Sequence, residues 1–295
     1  MRYEAPESLS GALALLAAAT GEARVLAGGT DLLVQMRADV VDPDLIVDIK
    51  KIPETRTITE ENGGWRIGAA VTGAELKEHA RLKQMWPGVV EAANLIGSTQ
   101  VQGRATLGGN LCNGSPAADS VPALIAAGAV ATLAGPRGKR DLPVEDVMLG
   151  PRQLALEKGE IVVSFLLPPR PPRSGDAYLR FIPRTEMDIA VVGAGVSLTI
   201  DGGGTITAAR VSLGAVAARV LLVADAARAI VGSHLDEAAQ QRLEAAARAA
   251  CRPIDDKRGT VEFRVDVAGV LARRAAVIAL DRARGGAANG GGRSH

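Results

Sequence analysis

The spacing of apolar residues predicts alternating helices and strands at the start of the chain. Leucine and alanine recur at helical spacing over residues 8–19, where Ser8 is a suitable N-terminal cap. The short apolar runs Arg24–Ala27 and Leu45–Ile49 are typical of strands, and helical spacing returns between them. The pattern therefore predicts a small β-α-β subdomain at about residues 1–55.

Turn and capping residues organise the stretch that follows, up to residue 170. Asn62-Gly63-Gly64 separates two β-prone runs and predicts a hairpin. Thr72 followed by Glu75 matches a capping box, which predicts the start of a helix. Further apolar runs predict two helices and two strands, at Pro87–Leu95, Val121–Ala127, Ala129–Leu133 and Glu160–Leu166. We interpret residues 56–170 as a second subdomain.

A proline-rich stretch, Pro168–Gly175, divides the chain and is predicted to be irregular, with a linker at residues 171–175. Beyond it the pattern predicts three strands and then three helices, at Ala177–Ile182, Ile189–Ile200, Thr205–Ala217, Ala224–Val231, Asp236–Ala250 and Val265–Ala283. Strands followed by helices are typical of an α+β domain, here residues 176–283. The glycine-rich residues 284–295 are predicted to be a disordered tail.

The composition excludes several functional classes. Lysine and arginine number 34 against 33 acidic residues, so the net charge of +1 gives no basis for nucleic-acid binding. The two cysteines, Cys112 and Cys251, are too few for an iron–sulfur cluster, and the three histidines are too scattered for a zinc site. The sequence has no run of about 18 apolar residues and no signal-peptide core, so we expect a cytoplasmic protein without a transmembrane segment.

Two glycine-rich segments carry the candidate binding chemistry. Ala27–Asp31 follows an apolar strand, and Thr106–Ser120 combines Gly108-Gly109-Asn110 with small polar residues in a predicted loop. Adjacent glycines let a backbone approach an anion closely, and peptide N–H groups in such turns can bind phosphate. Together they predict a ligand with a long phosphate-bearing spine, the alternative being two tight turns. Because no nucleophile and base are paired, the chemistry is predicted to come from a bound group.

These segments resemble the FAD-binding medium subunits of the molybdenum hydroxylases, the family of xanthine dehydrogenase and carbon monoxide dehydrogenase. The residues that carry the resemblance are Ala27–Asp31, Ala105–Asn110 with Ser115–Asp119, and Arg184 with Asp188-Ile189-Ala190, in the family's order and spacing. The resemblance covers about residues 1–282. It implies an α+β fold in which a two-subdomain FAD-binding region of the p-cresol-methylhydroxylase type, residues 1–170, precedes a C-terminal domain of the CO dehydrogenase flavoprotein type with a three-stranded antiparallel sheet and helices.

The resemblance also implies a set of residues that contact FAD. Ala27–Asp31 would surround the pyrophosphate through backbone N–H groups, Asp119 would accept from ribityl hydroxyls, and Arg180 would stabilise reduced flavin. The complete set is Leu26, Ala27, Gly28, Gly29, Thr30, Asp31, Ile96, Val101, Ala105, Thr106, Gly109, Asn110, Cys112, Asp119, Val162, Val163 and Arg180. Two alternatives stay open, namely Asp119 as a helix cap and Arg180 or Arg184 as partners of acidic neighbours such as Asp188.

The function implied by the resemblance is electron transfer within a larger enzyme. The chain would hold one noncovalent FAD, take electrons from the [2Fe–2S] clusters of a small subunit, and pass them to NAD or a quinone. A large molybdopterin subunit would oxidise the substrate, in a dimer of heterotrimers. Alanine-rich helices such as Leu235–Ala250 are candidate docking surfaces, the alternative being ordinary core helices.

Some features of the function stay open at this point. Ile189 stands where some relatives carry an aromatic residue over the flavin, so the electron acceptor is undetermined. The sequence does not distinguish carbon monoxide, an aldehyde, a purine or another N-heterocycle as the substrate of the complex. The alternative function is a self-sufficient flavin oxidase or dehydrogenase of the p-cresol-methylhydroxylase superfamily.

Overall fold

The computed structural model of the chain describes residues 1–285, in which eleven α-helices pack on four β-sheets. Three of the sheets lie before residue 168 and one lies after it. This confirms the mixed helix-and-strand fold that the sequence predicts. Apart from Arg284 and Gly285, the predicted tail lies outside the described residues. Among those residues, no helix is both long and apolar enough to cross a membrane.

The N-terminal subdomain is a three-stranded parallel sheet with two helices. Its elements are β1 (Arg2–Glu4), α1 (Leu9–Ala18), β2 (Ala23–Leu26), α2 (Leu32–Arg37) and β3 (Leu45–Asp48). The buried strand β3 lies in the middle and pairs in parallel with both β1 and β2. Ser8 accepts a hydrogen bond from the Gly11 N–H and caps α1, as predicted. The sequence did not reveal β1, because Arg2-Tyr3-Glu4 has no apolar alternation.

The second subdomain is a five-stranded antiparallel sheet covered by helices. In chain order its elements are β4 (Ile58–Glu61), β5 (Gly64–Gly68), α3 (Gly73–Glu78), α4 (Ala80–Met85), α5 (Pro87–Ala93), α6 (Thr99–Gln102), α7 (Leu107–Cys112), α8 (Ser120–Ala126), β6 (Val130–Gly135), β7 (Gly138–Pro143), the small hairpin β8 (Met148–Gly150) and β9 (Gln153–Leu154), and β10 (Ile161–Leu167). The order in the large sheet is β4-β5-β10-β6-β7, so the buried strand β10 lies at its centre.

Two local signals in this subdomain, the capping box and the hairpin turn, are confirmed by the structure. Thr72 and Glu75 form both hydrogen bonds of the capping box at the start of α3. Asn62 and Gly63 both have positive φ, as a tight two-residue turn between β4 and β5 requires. These elements therefore follow from neighbouring residues alone.

The C-terminal domain is a four-stranded antiparallel sheet with three helices. Its elements are β11 (Ser174–Phe181), β12 (Val192–Ile200), β13 (Ile206–Gly214), β14 (Leu221–Leu222), α9 (Ala224–Arg228), α10 (Glu237–Ala250) and α11 (Val261–Ala283). The prediction of three strands is wrong, because β14 pairs with β13 through only two residues and is too short to have a recognisable pattern. The prediction that irregular structure extends to Gly175 is also wrong, since β11 begins at Ser174.

The alanine-rich helix α10 packs on its own domain. Its buried residues Ala239, Leu243 and Ala247 lie on one helical face and belong to the C-terminal core together with residues of α11. Residues outside this face, such as Gln241 and Arg242, are exposed. The ordinary-core alternative therefore applies to this helix, and its apolar face is not available to a partner.

Buried charges join the two halves of the chain. Asp176 on β11 accepts from the Gly88 N–H at 2.8 Å and lies 2.8 Å from Arg170 Nη1, and both charged side chains are less than one-tenth exposed. Arg282 on α11 donates to the Asp176 carbonyl at 2.7 Å and pairs with Glu91 of α5. These contacts fix α5, β11 and α11 to one another across the domain boundary.

We expect Asp176→Ala to lower the free energy of unfolding by about 3–5 kcal/mol, because it leaves the Arg170 charge buried without its partner. The exposed pair Asp225–Arg228 offers a control, since Asp225→Ala should cost less than about 1 kcal/mol. Urea unfolding of both variants measures the difference. Equal losses would contradict the importance of the buried pair.

Candidate cofactor-binding site

The first glycine segment, Gly28–Asp31, joins β2 to α2 and packs tightly against the backbone that precedes α7. A Cβ atom at Gly28 would lie 2.1 Å from the Arg104 carbonyl oxygen, so no side chain fits there. Gly29 has a φ of +78°, which glycine adopts without strain, and it turns the chain into α2. Glycine is required at residue 28 by tight packing and is favoured at residue 29 by the positive φ.

The same segment offers a row of backbone donors. Within residues 1–285, no protein group accepts a hydrogen bond from the N–H of Gly28, Gly29, Thr30 or Asp31, and all four residues line a cavity. Because backbone N–H groups in folded proteins are almost always satisfied, these four are available to solvent or to a ligand. Successive N–H groups in a turn form a concavity that suits phosphate. The donors therefore fit the pyrophosphate of FAD.

The second glycine segment begins the short helix α7 rather than forming an open loop. Thr106 Oγ1 accepts from the Gly109 N–H at 2.9 Å and caps the helix. A Cβ atom at Gly108 would lie 2.6 Å from the Ala69 carbonyl oxygen, whereas one at Gly109 would meet only Thr106 Oγ1, at 3.0 Å. The loop prediction is wrong here because two glycines have low helix propensity, which the cap and the packing overcome.

Asn110 ties α7 to the next helix. Its Oδ1 accepts from both the N–H of Ser120, at 3.0 Å, and the Ser120 hydroxyl, at 2.7 Å. The Asn110 side chain also lines the cavity. The oxygen of this amide is therefore occupied by the protein, and the amide nitrogen is the part that remains for a ligand.

A cavity of about 450 Å³ lies between the two glycine segments. The predicted contact residues that line it are Leu26, Ala27, Gly28, Gly29, Thr30, Asp31, Ile96, Ala105, Thr106, Gly109, Asn110, Cys112 and Val162. Four predicted residues lie elsewhere. Val101 packs beside Gly97, and Val163 is buried in the core of the N-terminal subdomain. The other two, Asp119 and Arg180, form a separate buried cluster.

In that cluster, a carboxylate from the first half of the chain meets the C-terminal domain. Asp119 accepts from the Tyr178 hydroxyl at 3.0 Å and from Arg180 Nη1 at 2.7 Å. The side chains of Asp119 and Arg180 are 10% and 4% exposed. Burial raises the pKa of Asp119 to about 6, although Arg180 and Tyr178 oppose that rise. Asp119 lies outside the cavity and makes no capping hydrogen bond to α8, so within residues 1–285 its partners are those of the C-terminal domain.

The other arginine of the resemblance also pairs with an acidic neighbour. Arg184 Nε lies 3.1 Å from Asp188 Oδ2, and Arg258 Nε lies 3.5 Å from Asp188 Oδ1. Next to this pair, Ile189 is 51% exposed. The Met187 N–H donates to the Gly97 carbonyl at 3.4 Å, so this loop adjoins the end of the cavity that Ile96 lines.

Several cavity residues gave no signal in the sequence. Gln35 of α2 donates to Asn113 Oδ1 at 2.8 Å, linking the two glycine segments on one side of the cavity. Arg24 and Arg152 contribute charge to the lining. Each is an isolated polar residue in a strand, helix or turn, with no motif around it. Only the tertiary structure brings them to the same cavity.

Comparison with known proteins assigns both halves of the chain to families. A model described as the FAD binding domain in molybdopterin dehydrogenase matches residues 1–170, and one described as the CO dehydrogenase flavoprotein C-terminal domain matches residues 177–278. The carbon monoxide dehydrogenase medium chain of Afipia carboxidovorans is 35% identical over 282 residues, which is 96% of this chain and 97% of that relative. The xanthine dehydrogenase FAD-binding subunit of Escherichia coli O157:H7 is 36% identical over 203 residues, 68% of this chain and 69% of that relative.

Solved structures agree with these matches. A chain of the Cu,Mo-CO dehydrogenase in its cyanide-inactivated form has a TM-score of 0.91 at 35% identity, covering 96% of this chain and 98% of that chain. A chain of quinoline 2-oxidoreductase from Pseudomonas putida 86 has a TM-score of 0.88 at 28% identity, with the same coverage. The fold is therefore shared along nearly the whole length of the chain.

We expect Gly109→Val to fold but to bind FAD at least about tenfold more weakly, because its side chain enters the space next to the backbone donors. Gly103→Val is the control, since Gly103 is exposed, lies outside the cavity lining and has room for a side chain. Gly28→Val is expected to destabilise the fold itself, because a Cβ there would meet backbone at 2.1 Å. Fluorescence titration with FAD and thermal unfolding separate these outcomes. Unchanged FAD affinity in Gly109→Val would contradict the placement.

The raised pKa of Asp119 predicts a pH-dependent stability difference. The Asp119 carboxyl binds its proton more tightly in the folded protein than in the unfolded chain, where the pKa of an aspartate is about 3.8. Protonation of Asp119 therefore stabilises the fold fully below about pH 3.8, and this stabilisation is lost as the pH rises through about 6. As the pH falls from about 7 to about 4, the free energy of unfolding of the wild type should rise by up to about 3 kcal/mol relative to that of Asp119→Asn. Urea unfolding at both pH values tests this, with the exposed Asp42→Asn as control. A difference independent of pH would refute it.

Proposed function

The chain belongs to the FAD-binding medium subunits of the molybdenum hydroxylases, and on that premise we propose that it passes electrons from the [2Fe–2S] clusters of a partner subunit to NAD or another acceptor. It carries an FAD-binding domain and is a subunit of an oxidoreductase. The observation that carries the proposal is the cavity between the two glycine segments. There the N–H groups of Gly28–Asp31, which have no acceptor within residues 1–285, lie opposite the capped start of α7.

The residues around the cavity have distinct tasks toward FAD. The N–H groups of Gly28–Asp31 hold the pyrophosphate, and Ile96, Ala105 and Val162 give apolar walls. When bound without a covalent link, FAD supplies the redox chemistry that the side chains of this chain lack. The p-cresol-methylhydroxylase type of the FAD-binding region is part of the same proposal.

Asp119 and Arg180 act on the site indirectly in this proposal. Both are buried against each other, and Asp119 directly precedes Ser120, which Asn110 holds through two hydrogen bonds. The pair therefore positions the start of α8, and through it the Asn110 side chain at the cavity. Their direct contacts with ribityl hydroxyls and reduced flavin stay predictions from the resemblance.

The partners we propose are a large molybdopterin subunit and a small [2Fe–2S] subunit, assembled as a dimer of heterotrimers. The relatives of known function bear the names medium chain and FAD-binding subunit, which describe one chain of a larger enzyme. Residues 1–285 contain no group of three or more histidine, cysteine or acidic residues able to hold a metal ion. NAD, a quinone and a cytoplasmic location are parts of the proposal that rest on the resemblance.

We expect the chain, produced together with its partner subunits, to lose its flavin absorbance when one of a panel of substrates is added: carbon monoxide, an aldehyde or a purine. The isolated chain should keep its absorbance, because in this proposal the site that oxidises the substrate belongs to the large molybdopterin subunit. Dithionite should bleach both preparations, which shows that the flavin in each can be reduced. Acid precipitation should release the flavin into the supernatant.

Two outcomes would count against this function. Bleaching of the isolated chain by one of the substrates would favour the self-sufficient oxidase or dehydrogenase instead. A chain that purifies without flavin and binds none on titration would remove the basis of the proposal.

A further inference from the structure

A lysine behind the Gly28–Asp31 segment binds the backbone at the point where that segment begins. The Lys50 ammonium donates to the Ala27 carbonyl at 3.0 Å. Strand β2 ends one residue earlier, at Leu26, whose carbonyl accepts from the Ile49 N–H at 3.0 Å. The Ala27 carbonyl therefore lies beyond the backbone pairing of the sheet, and within residues 1–285 Lys50 is its only hydrogen-bond donor.

A buried carboxylate fixes the Lys50 side chain in this position. Asp48 Oδ2 accepts from the Lys50 ammonium at 2.7 Å and from the Tyr3 hydroxyl at 2.5 Å, and Asp48 Oδ1 accepts from the Lys50 N–H at 2.9 Å. Asp48 is only 5% exposed. Burial disfavours the charged carboxylate, but the hydrogen bonds from Lys50 and Tyr3 outweigh burial and lower the pKa of Asp48. The ammonium is thus held between a charged carboxylate and the Ala27 carbonyl.

The contact with Lys50 also sets the direction of the Gly28 N–H. The carbonyl and the N–H of a trans peptide, such as the one that joins Ala27 to Gly28, point in opposite directions. Because the Ala27 carbonyl points toward Lys50, the Gly28 N–H points away from it, and within residues 1–285 this N–H has no acceptor. A charged donor on the carbonyl also polarises the peptide, which makes its N–H a stronger donor.

We propose that Lys50, held by Asp48 and Tyr3, is a positioning residue that aims the Gly28 N–H at the pyrophosphate of FAD. The inference rests on the proposed binding of the pyrophosphate at Gly28–Asp31. Lys50, Asp48 and Tyr3 all lie outside the cavity lining, and both acceptors of the ammonium are protein groups. Lys50 therefore acts on the phosphate through the peptide and does not contact it.

The test compares two neighbouring lysines. Lys50→Met removes the ammonium and keeps an unbranched side chain, whereas Lys50→Arg keeps a charged donor. Lys51→Met is the matched control, because Lys51 is exposed, lies outside the cavity lining and comes no closer than 4.0 Å to its ion-pair partner Glu7. Fluorescence titration of the flavin-free full-length chain measures FAD affinity, and thermal unfolding checks that each variant folds.

A second measurement follows the Gly28 N–H itself in the flavin-free chain. Labelling alanine carbonyls with ¹³C and glycine nitrogens with ¹⁵N restricts the NMR spectrum to Ala–Gly pairs, one of which is Ala27–Gly28. Ala27→Ser identifies the Gly28 signal as the one that disappears. This signal reports the hydrogen bond on the Ala27 carbonyl without any ligand, so a loss of affinity with another structural cause would leave it in place.

Lys50→Met should weaken FAD binding about tenfold or more, as loss of a charged hydrogen bond does, and should move the Gly28 signal to lower ¹⁵N frequency. Lys50→Arg should recover most of the affinity, and Lys51→Met should change neither readout. Unchanged FAD affinity in Lys50→Met, or weaker binding with an unmoved Gly28 signal, would overturn the proposal while leaving FAD binding intact. A wild type that binds no flavin would instead overturn the proposed function.

Tyr3→Phe keeps the proposal testable if Lys50→Met does not fold. It removes one hydroxyl from a half-exposed side chain and leaves the ion pair of Asp48 with Lys50 in place. We expect FAD binding about threefold weaker and a smaller shift of the Gly28 signal in the same direction. No change in either readout would count against the positioning role.

Discussion

The close approach of two backbone segments is the constraint on which the rest of the site depends. At Gly28 the chain runs so near to Arg104 that a Cβ atom would lie 2.1 Å from its carbonyl oxygen. This contact sets the free N–H groups of one segment beside the capped start of α7 in the other. A side chain would push the segments apart, and the donors would no longer border one cavity. The glycines are thus required by packing before any ligand is considered.

Buried ion pairs hold the two halves of the chain in one arrangement. Asp119 meets Arg180 across 61 residues of sequence, and Arg170 meets Asp176 beside the helix that contains Gly88. Removing one partner of a buried pair lowers the free energy of unfolding much more than removing one partner of an exposed pair, because the remaining charge stays out of water. The pairs therefore favour one arrangement of the halves, in which the loop at Met187 adjoins the Ile96 end of the cavity.

The sequence predicted elements whose cause is local, and it failed where the cause lies elsewhere in the chain. The Ser8 cap, the Thr72–Glu75 capping box and the turn at Asn62-Gly63 all formed, because each needs only residues that are neighbours along the chain. The helix at Leu107–Cys112 was missed, because its glycines disfavour a helix that packing against Ala69 nevertheless stabilises. The strand at Leu221–Leu222 was missed because only its partner, β13, makes it a strand.

The same division applies to the site. By itself, the sequence determined the family and the two glycine segments, because backbone approach to an anion requires residues without side chains at fixed spacing. Only the tertiary structure decided that Asp119 pairs with Arg180 rather than facing the cavity, and that Gln35 and Arg152 line it. The physical reason is that burial and pairing arise between residues far apart in the chain. No local pattern of residues records which of them will meet.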